Sequence, residues 1–178
     1  MKIISTKFTG LKIIQSKSFK DNRGFFKEDY KKKFFKNIKF IFGSTSSSKK
    51  NVIRGLHLQT KFMQEKYVSV LKGAILDVAV DLRKSSKTFG KHFKIILSDS
   101  NAKSLFIPAG FAHGFLGLKK ENIIYYYCTN YRSAKHEVGL CWNDKDLRIK
   151  WPIKKPIITK KDRKNYTFRE YKKLYIKK

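Results

Sequence analysis

The chain has 178 residues and fits a single domain, 1–178, large enough to bury a core without a metal or disulfide staple. Its two cysteines make no disulfide framework, and no apolar run approaches the length of about 18 residues that a membrane helix needs. The net charge of +29 suggests a polyanionic partner, but the 42 Lys and Arg are spread along the chain rather than gathered on one recognition element. They sit in a background of Ile, Phe, Tyr and Asn, the bias of an AT-rich coding sequence. No nucleic-acid or membrane partner is therefore expected, although such a charge would draw in any substrate bearing phosphates.

In chain order, the N-terminal residues alternate apolar groups with Ser5, Thr6, Lys7 and Thr9 and hold no signal-peptide core, so a cytoplasmic protein is expected. Two segments, 29–40 and 160–171, are the best helix candidates, and both are short. Residues 43–50, Gly43 followed by a run of Ser, Thr and Lys, read as a loop leading into a strand. In the segment 51–59, alternation sets Val52, Leu56 and Leu58 on one side and Ile53, Gly55, His57 and Gln59 on the other. Leu76, Val78, Val80 and Leu82 alternate with Ile75, Asp77, Ala79 and Asp81, a strand with one packed face and one face carrying carboxylates. Further strands are expected at 93–98, 104–107, 114–118, 122–131 and 138–142, a spacing that predicts an all-β sandwich or barrel with a few short peripheral helices.

Two of the four histidines, His57 and His113, lie in apolar, glycine-flanked surroundings; His92 and His136 lie among charges. Imidazole titrates near neutrality, and an inward carboxylate such as Asp77 can set its tautomer and raise its basicity. A metal centre in a barrel would want a His-X-His pair, and His57-Leu58-Gln59 lacks the second imidazole. Glu65 is followed at once by Lys66, whose charge opposes a cation. No metal and no cofactor are expected.

Five segments in register resemble the nucleotide-sugar 3,5-epimerases of the dTDP-4-dehydrorhamnose type, which are cupin jelly rolls. They are residues 19–28 (FKDNRGFFKE), 50–59 (KNVIRGLHLQ), 77–90 (beginning DVAVDLR), 107–115 (IPAGFAHGF), and WND at 142–144 with Trp151-Pro152. The resemblance implies inversion at C3, C5 or both of a nucleotide-diphosphate-linked 4-keto-6-deoxy sugar, through an enolate, in deoxysugar supply for surface polysaccharide. It assigns His57 as the base, Asp162 as its carboxylate partner, Lys66 as the cation beside the enolate, and Asp77 and His113 as a supporting pair. Tyr126 is the acid by counting back from Thr129-Asn130-Tyr131, although a slip of one residue would select Tyr125 or Tyr127. Arg23 and Arg54 match a diphosphate clamp. Glu28, Gln59, Phe19 and Phe26 complete the implied substrate contacts, and a homodimer with crossing N-terminal strands is implied as well. The sequence departs from the family at Phe42 and Ser44, where Gln and Asn are usual, and at Arg132, where a base-stacking Tyr is usual. Those departures leave open another nucleotide, another 4-keto sugar such as a heptose, and epimerisation at C3 alone. A 3,4-ketoisomerase is a competing reading of the same fold, and a basic nucleic-acid-binding module is the competing reading of another class.

Overall fold

The structure, a computed structural model, describes residues 1–176. Strands β1 (Lys2–Ser5), β2 (Lys12–Gln15), β3 (Ser18–Asp21) and β4 (Gly24–Lys27) are followed by one turn of 3-10 helix at Lys32–Phe34. Then come β5 (Phe42–Lys49), β6 (Ile53–Gln59), β7 (Lys66–Lys72), β8 (Ala74–Asp81), β9 (His92–Ser98) and β10 (Lys103–Ile107). β11 (Phe111–Gly117), β12 (Glu121–Cys128) and β13 (Glu137–Gly139) follow, with 3-10 turns at Ala134–His136 and Asp162–Lys164 and the helix α1 (Phe168–Tyr175). One antiparallel sheet has the order β1-β2-β10-β7-β12-β5 and the other β13-β6-β11-β8-β9; β3 and β4 form a separate hairpin. This is the all-β, cupin-type jelly roll that the strand spacing and the resemblance led us to expect.

The main core lies between the sheets, where Val68, Val70, Leu105 and Ile124 meet Ile75, Ala79, Leu97 and Phe115. A second core lies on the outer side of the five-stranded sheet, where Leu56, Leu76, Val78 and Val80 are covered by Phe168 and Tyr171 of α1. This third layer covers the apolar face expected for 75–82, that of Leu76, Val78, Val80 and Leu82. All eight residues of β8 are buried, because C-terminal chain seals the face opposite the sandwich core. Asp77, between Ile75 and Ala79 on the sandwich side, is an interior carboxylate as its inward reading expected, and Asp81 is buried as well. α1 begins later than expected because Thr167 and Glu170 form a reciprocal capping box that fixes its start. The 29–40 candidate shrinks to the 3-10 turn, with Phe35 buried against Tyr67 and Phe106.

Residues 43–49 of the expected loop belong to β5, and Lys50 lies in the turn that follows. The strand runs at the edge of the six-stranded sheet, paired with β12 from Phe42↔Cys128 to Lys49↔Glu121. Its small hydroxyl side chains suit an edge strand whose residues alternate between half-buried and exposed.

Candidate active site

Two glycines set the site. Along β6 and β11 the pairing runs His57↔His113 and then Arg54↔Phe115, a slip of one residue that places a bulge beside Gly55 and Gly114. Gly55 has φ +124°, and a Cβ there would stand 2.5 Å from the Gly114 Cα and 2.8 Å from the His113 carbonyl oxygen. A Cβ on Gly114 would meet the Arg54 carbonyl oxygen at 2.6 Å. Only glycine fits either position. The bulge also breaks the simple alternation expected for 51–59: Ile53 joins Leu56 and Leu58 in the outer core, while His57 turns to the interior of the sandwich.

His57 and His113 stand as cross-strand neighbours at the floor of a cavity of about 460 Å³. Each holds a carboxylate through Nε2 at 2.7 Å, His57 to Asp162 Oδ1 and His113 to Asp77 Oδ2. Burial pushes the Asp162 carboxyl up, but the hydrogen bond and charge of His57, the Thr159 hydroxyl and the Gly55 backbone outweigh it. The net effect holds Asp162 below the ordinary carboxylate range. Asp77 is fully buried and its Oδ1 has no hydrogen-bond partner.

Tyr126 lines the cavity, its hydroxyl 3.3 Å from Ser46 Oγ and its ring 6.2 Å from that of His113. Tyr125 and Tyr127 lie on the other face of β12 and pack edge to face against each other. Of the three tyrosines, Tyr126 is the one whose side chain lines the cavity. Burial raises the Tyr126 phenol well above its usual range, beyond what the Ser46 hydrogen bond takes back. Lys66, the first residue of β7, also lines the cavity. Burial lowers its ammonium, against the attraction of Cys128, Glu137 and Asp77. Arg54 is held against β5, donating from Nε to Ser48 Oγ at 2.8 Å and from a terminal nitrogen to the Ser47 carbonyl at 3.0 Å.

Of the remaining expected residues, Arg23, Phe19, Phe26 and Glu28 do not line this cavity. The first three sit on the β3–β4 hairpin, with Arg23 bound to Asp21, and Glu28 pairs with Lys31 just beyond it. Gln59 does not reach the cavity either. It is buried, its amide nitrogen donates to the carbonyls of Phe62 and Tyr131, and its oxygen accepts from the Ser133 backbone at 2.6 Å. It stays on the same side of β6 as His57, but the loops at Phe62 and 131–133 close over it and take up its amide. Sequence reasoning missed Glu137 and Lys161, both in the cavity wall. Glu137 binds Arg132 through two nitrogens, at 3.1 and 3.3 Å, and binds the Lys161 ammonium as well. Burial would raise its carboxyl, but these two partners bring it down to about 2. The only available signal was the Lys161-Asp162 adjacency. Phe42, Ser44 and Arg132 all line the cavity, so the three departures cluster at one place.

A carboxylate-held imidazole, a buried phenol and a lysine converge on one cavity in a jelly roll. Fold and site together define an acid–base enzyme of the cupin type, suited to moving protons on a bound anionic substrate. The profile of the dTDP-4-dehydrorhamnose 3,5-epimerase family matches residues 5–170. The dTDP-4-dehydrorhamnose 3,5-epimerase of Shigella flexneri is 41% identical over 91% of this chain and 93% of its own. That of Methanothermobacter thermautotrophicus is 40% identical over 95% of both. The crystal structure of the Bacillus anthracis enzyme, with TDP and PPi bound, superposes with a TM-score of 0.88 at 43% identity, covering 93% of this chain and 98% of that one. The dTDP-6-deoxy-D-glucose-3,5-epimerase of Legionella pneumophila, in complex with dTDP-4-keto-L-rhamnose, gives 0.88 at 39%, covering 93% and 92%. The chain belongs to the dTDP-4-dehydrorhamnose 3,5-epimerase family.

Proposed function

We propose that this protein is an isomerase that epimerises a dTDP-linked 4-keto-6-deoxy sugar by deprotonation and reprotonation beside the ketone. The observation that carries the reading is the His57–Asp162 pair sharing one cavity with Tyr126 and Lys66. The 4-keto group acidifies the hydrogens on C3 and C5. Asp162 accepts the Nε2 proton of His57 and leaves Nδ1 as the basic nitrogen, which takes a proton from the sugar carbon. The C–H electrons move into the ring and onto the ketone oxygen. Lys66 stabilises that enolate with a fixed positive charge in a site of low dielectric. Tyr126 returns a proton to the carbon from the opposite face, and its raised pKa keeps the phenol protonated until then. His113 and Asp77 support the floor, and Arg54 binds the diphosphate.

The exposed residues of the hairpin are accounted for by a homodimer in which Arg23, Phe19, Phe26 and neighbouring Glu28 serve the other subunit's nucleotide. The expected setting is the cytoplasm, and the expected use is deoxysugar supply for surface polysaccharide. Among the described residues no helix is long and apolar enough to cross a membrane.

The test is incubation of dTDP-4-keto-6-deoxyglucose with the protein in heavy water, read by mass spectrometry and NMR. Deuterium at C3 and C5, lost in His57→Asn, is the expected result, and label at C3 alone would mark a single epimerisation. No exchange by the wild-type protein, with GDP- and CDP-linked keto sugars also inert, would overturn the reading.

A further inference from the structure

The root of the β3–β4 hairpin contains a buried lysine that the chemistry above does not use. The Lys27 side chain, at the end of β4, is only 3% exposed, and its ammonium lies 2.9 Å from Asp29 Oδ1. It also donates to the Val70 carbonyl at 3.2 Å and to Ser69 Oγ at 3.4 Å. Ser69 Oγ donates in turn to Asp29 Oδ1 at 2.7 Å, and the Tyr67 hydroxyl donates to the Asp29 carbonyl. Ser16 Oγ, just after β2, donates to the Glu28 carbonyl at 2.9 Å and ties the two ends of the hairpin together. The exit end is thus fastened to the six-stranded sheet through Tyr67, Ser69 and Val70 of the strand that begins with Lys66.

The tip is different. Phe19, Phe25 and Phe26 are exposed, and Arg23, with its side chain 85% exposed, pairs with Asp21. Taking a lysine out of water is costly, and an apolar side chain would fill the same space without that cost. What the ammonium adds is direction: three acceptors on β7 and Asp29 fix the angle at which the hairpin leaves the sheet.

We propose that Lys27 is a positioning residue that acts in trans. By fixing the hairpin root it sets where Arg23 meets the diphosphate in the other subunit's cavity. The proposal rests on the homodimer reading above. A displacement of about 1 Å at a positioning contact can change the rate or binding substantially, and a tilt at the root is magnified at the tip. The interaction belongs to binding, so its loss raises KM and leaves the chemical step alone.

The experiment compares wild type, Lys27→Met and Asp29→Asn in steady-state kinetics on dTDP-4-keto-6-deoxyglucose, with solution mass and circular dichroism as checks on assembly and fold. Lys27→Met is expected to raise KM about tenfold with kcat within about twofold, and Asp29→Asn to show the same split more weakly. Mixing Lys27→Met chains with His57→Asn chains supplies the decisive arm. In a mixed dimer the Lys27→Met subunit keeps its own His57 and receives an intact hairpin, so turnover at wild-type KM returns although neither parent shows it. Unchanged KM in both variants overturns the proposal. So does a raised KM that mixing fails to restore, since Lys27 would then act within its own subunit. If Lys27→Met does not fold, Asp29→Asn is read through the same mixing. Failure of the wild-type protein to exchange deuterium would instead sink the epimerase reading itself.

Discussion

The site contains the same pair twice. His57–Asp162 and His113–Asp77 each join Nε2 to a carboxylate oxygen at 2.7 Å, on neighbouring strands and facing the same cavity. They differ in access. The His57 side chain is 27% exposed and that of Asp162 5%, whereas His113 and Asp77 are 5% and 0% exposed. An imidazole that must take a proton from a bound sugar needs one open nitrogen, and one that holds a wall in place does not. If His57 is the base and His113 the support, as proposed, then burial rather than the pair's own geometry separates the two roles.

Replacing the two histidines in turn is the sharpest way to break that comparison. His57→Asn is expected to lower kcat by about 10²–10⁴-fold, the contribution of one general base, with little change in thermal stability. His113→Leu is expected to do the reverse. It leaves a buried carboxyl with no partner on either oxygen, at a cost of about 3 kcal/mol in denaturant unfolding, and the surviving folded protein retains most of its kcat. Equal losses of activity without loss of stability in the two variants would mean that access does not assign the roles.

Gly55→Ala tests what holds the pairs side by side. The added Cβ has no room against Gly114 and the His113 carbonyl, and φ +124° excludes it on backbone grounds as well. Loss of the bulge would turn His57 toward the outer core. The expected result is a destabilisation of about 2–4 kcal/mol, with residual activity reduced in any folded fraction. Wild-type activity and melting temperature in this variant would show that the histidines are held by something else.

Lys66 sharpens the comparison through pH. Burial lowers its ammonium, so it loses its proton at a lower pH than an ordinary lysine. If its charge stabilises the enolate, kcat falls on the alkaline side as that proton leaves. Lys66→Arg keeps the charge throughout and is expected to move the alkaline limb upward, even where the maximum rate drops. An alkaline limb that stays in place in Lys66→Arg would assign it to another group.

How much of this was legible in the sequence depends on which residue is asked. The glycine flanks marked His57 and His113, and the spacing of short apolar runs gave the sandwich. The parity of β12 marked Tyr126 once the register was known, but a triplet of tyrosines has no internal signal for its own phase. Asp77 was readable as inward, and its face does lie on the sandwich side with Ile75 and Ala79; what one strand could not show was that the C-terminal segment covers the opposite face, Leu76, Val78 and Val80. The serine-rich run of β5 looked like loop because edge strands tolerate hydroxyl side chains and show no apolar alternation. Gln59 was misplaced because the loop residues Phe62, Tyr131 and Ser133, the last two some seventy residues away in sequence, take up its amide before it can reach the cavity. Arg23 could not be placed on its own cavity because the hairpin projects from the sheet that roots it.

The smallest expected effect concerns Glu137 at the cavity mouth, where the pair chemistry of the floor is replaced by one carboxylate holding two cations. Arg132 and Lys161 lower its carboxyl from 4.5 to about 2. A carboxyl depressed in the folded state contributes stability that is present above its unfolded pKa and is lost as pH falls through the folded one. Glu137 therefore stabilises the fold fully above about 4.5 and ceases to do so near 2. Glu137→Gln is expected to lower stability slightly at neutral pH and to flatten its fall across that acid window, because the amide has no proton to gain. It also frees Arg132 and Lys161 from a shared anchor, so KM for the nucleotide sugar rises by about two- to fivefold while kcat holds. The measurement is urea unfolding at several pH values alongside steady-state kinetics at one. An acid limb of stability identical to that of the wild type would show that the two cations at the mouth are held without Glu137.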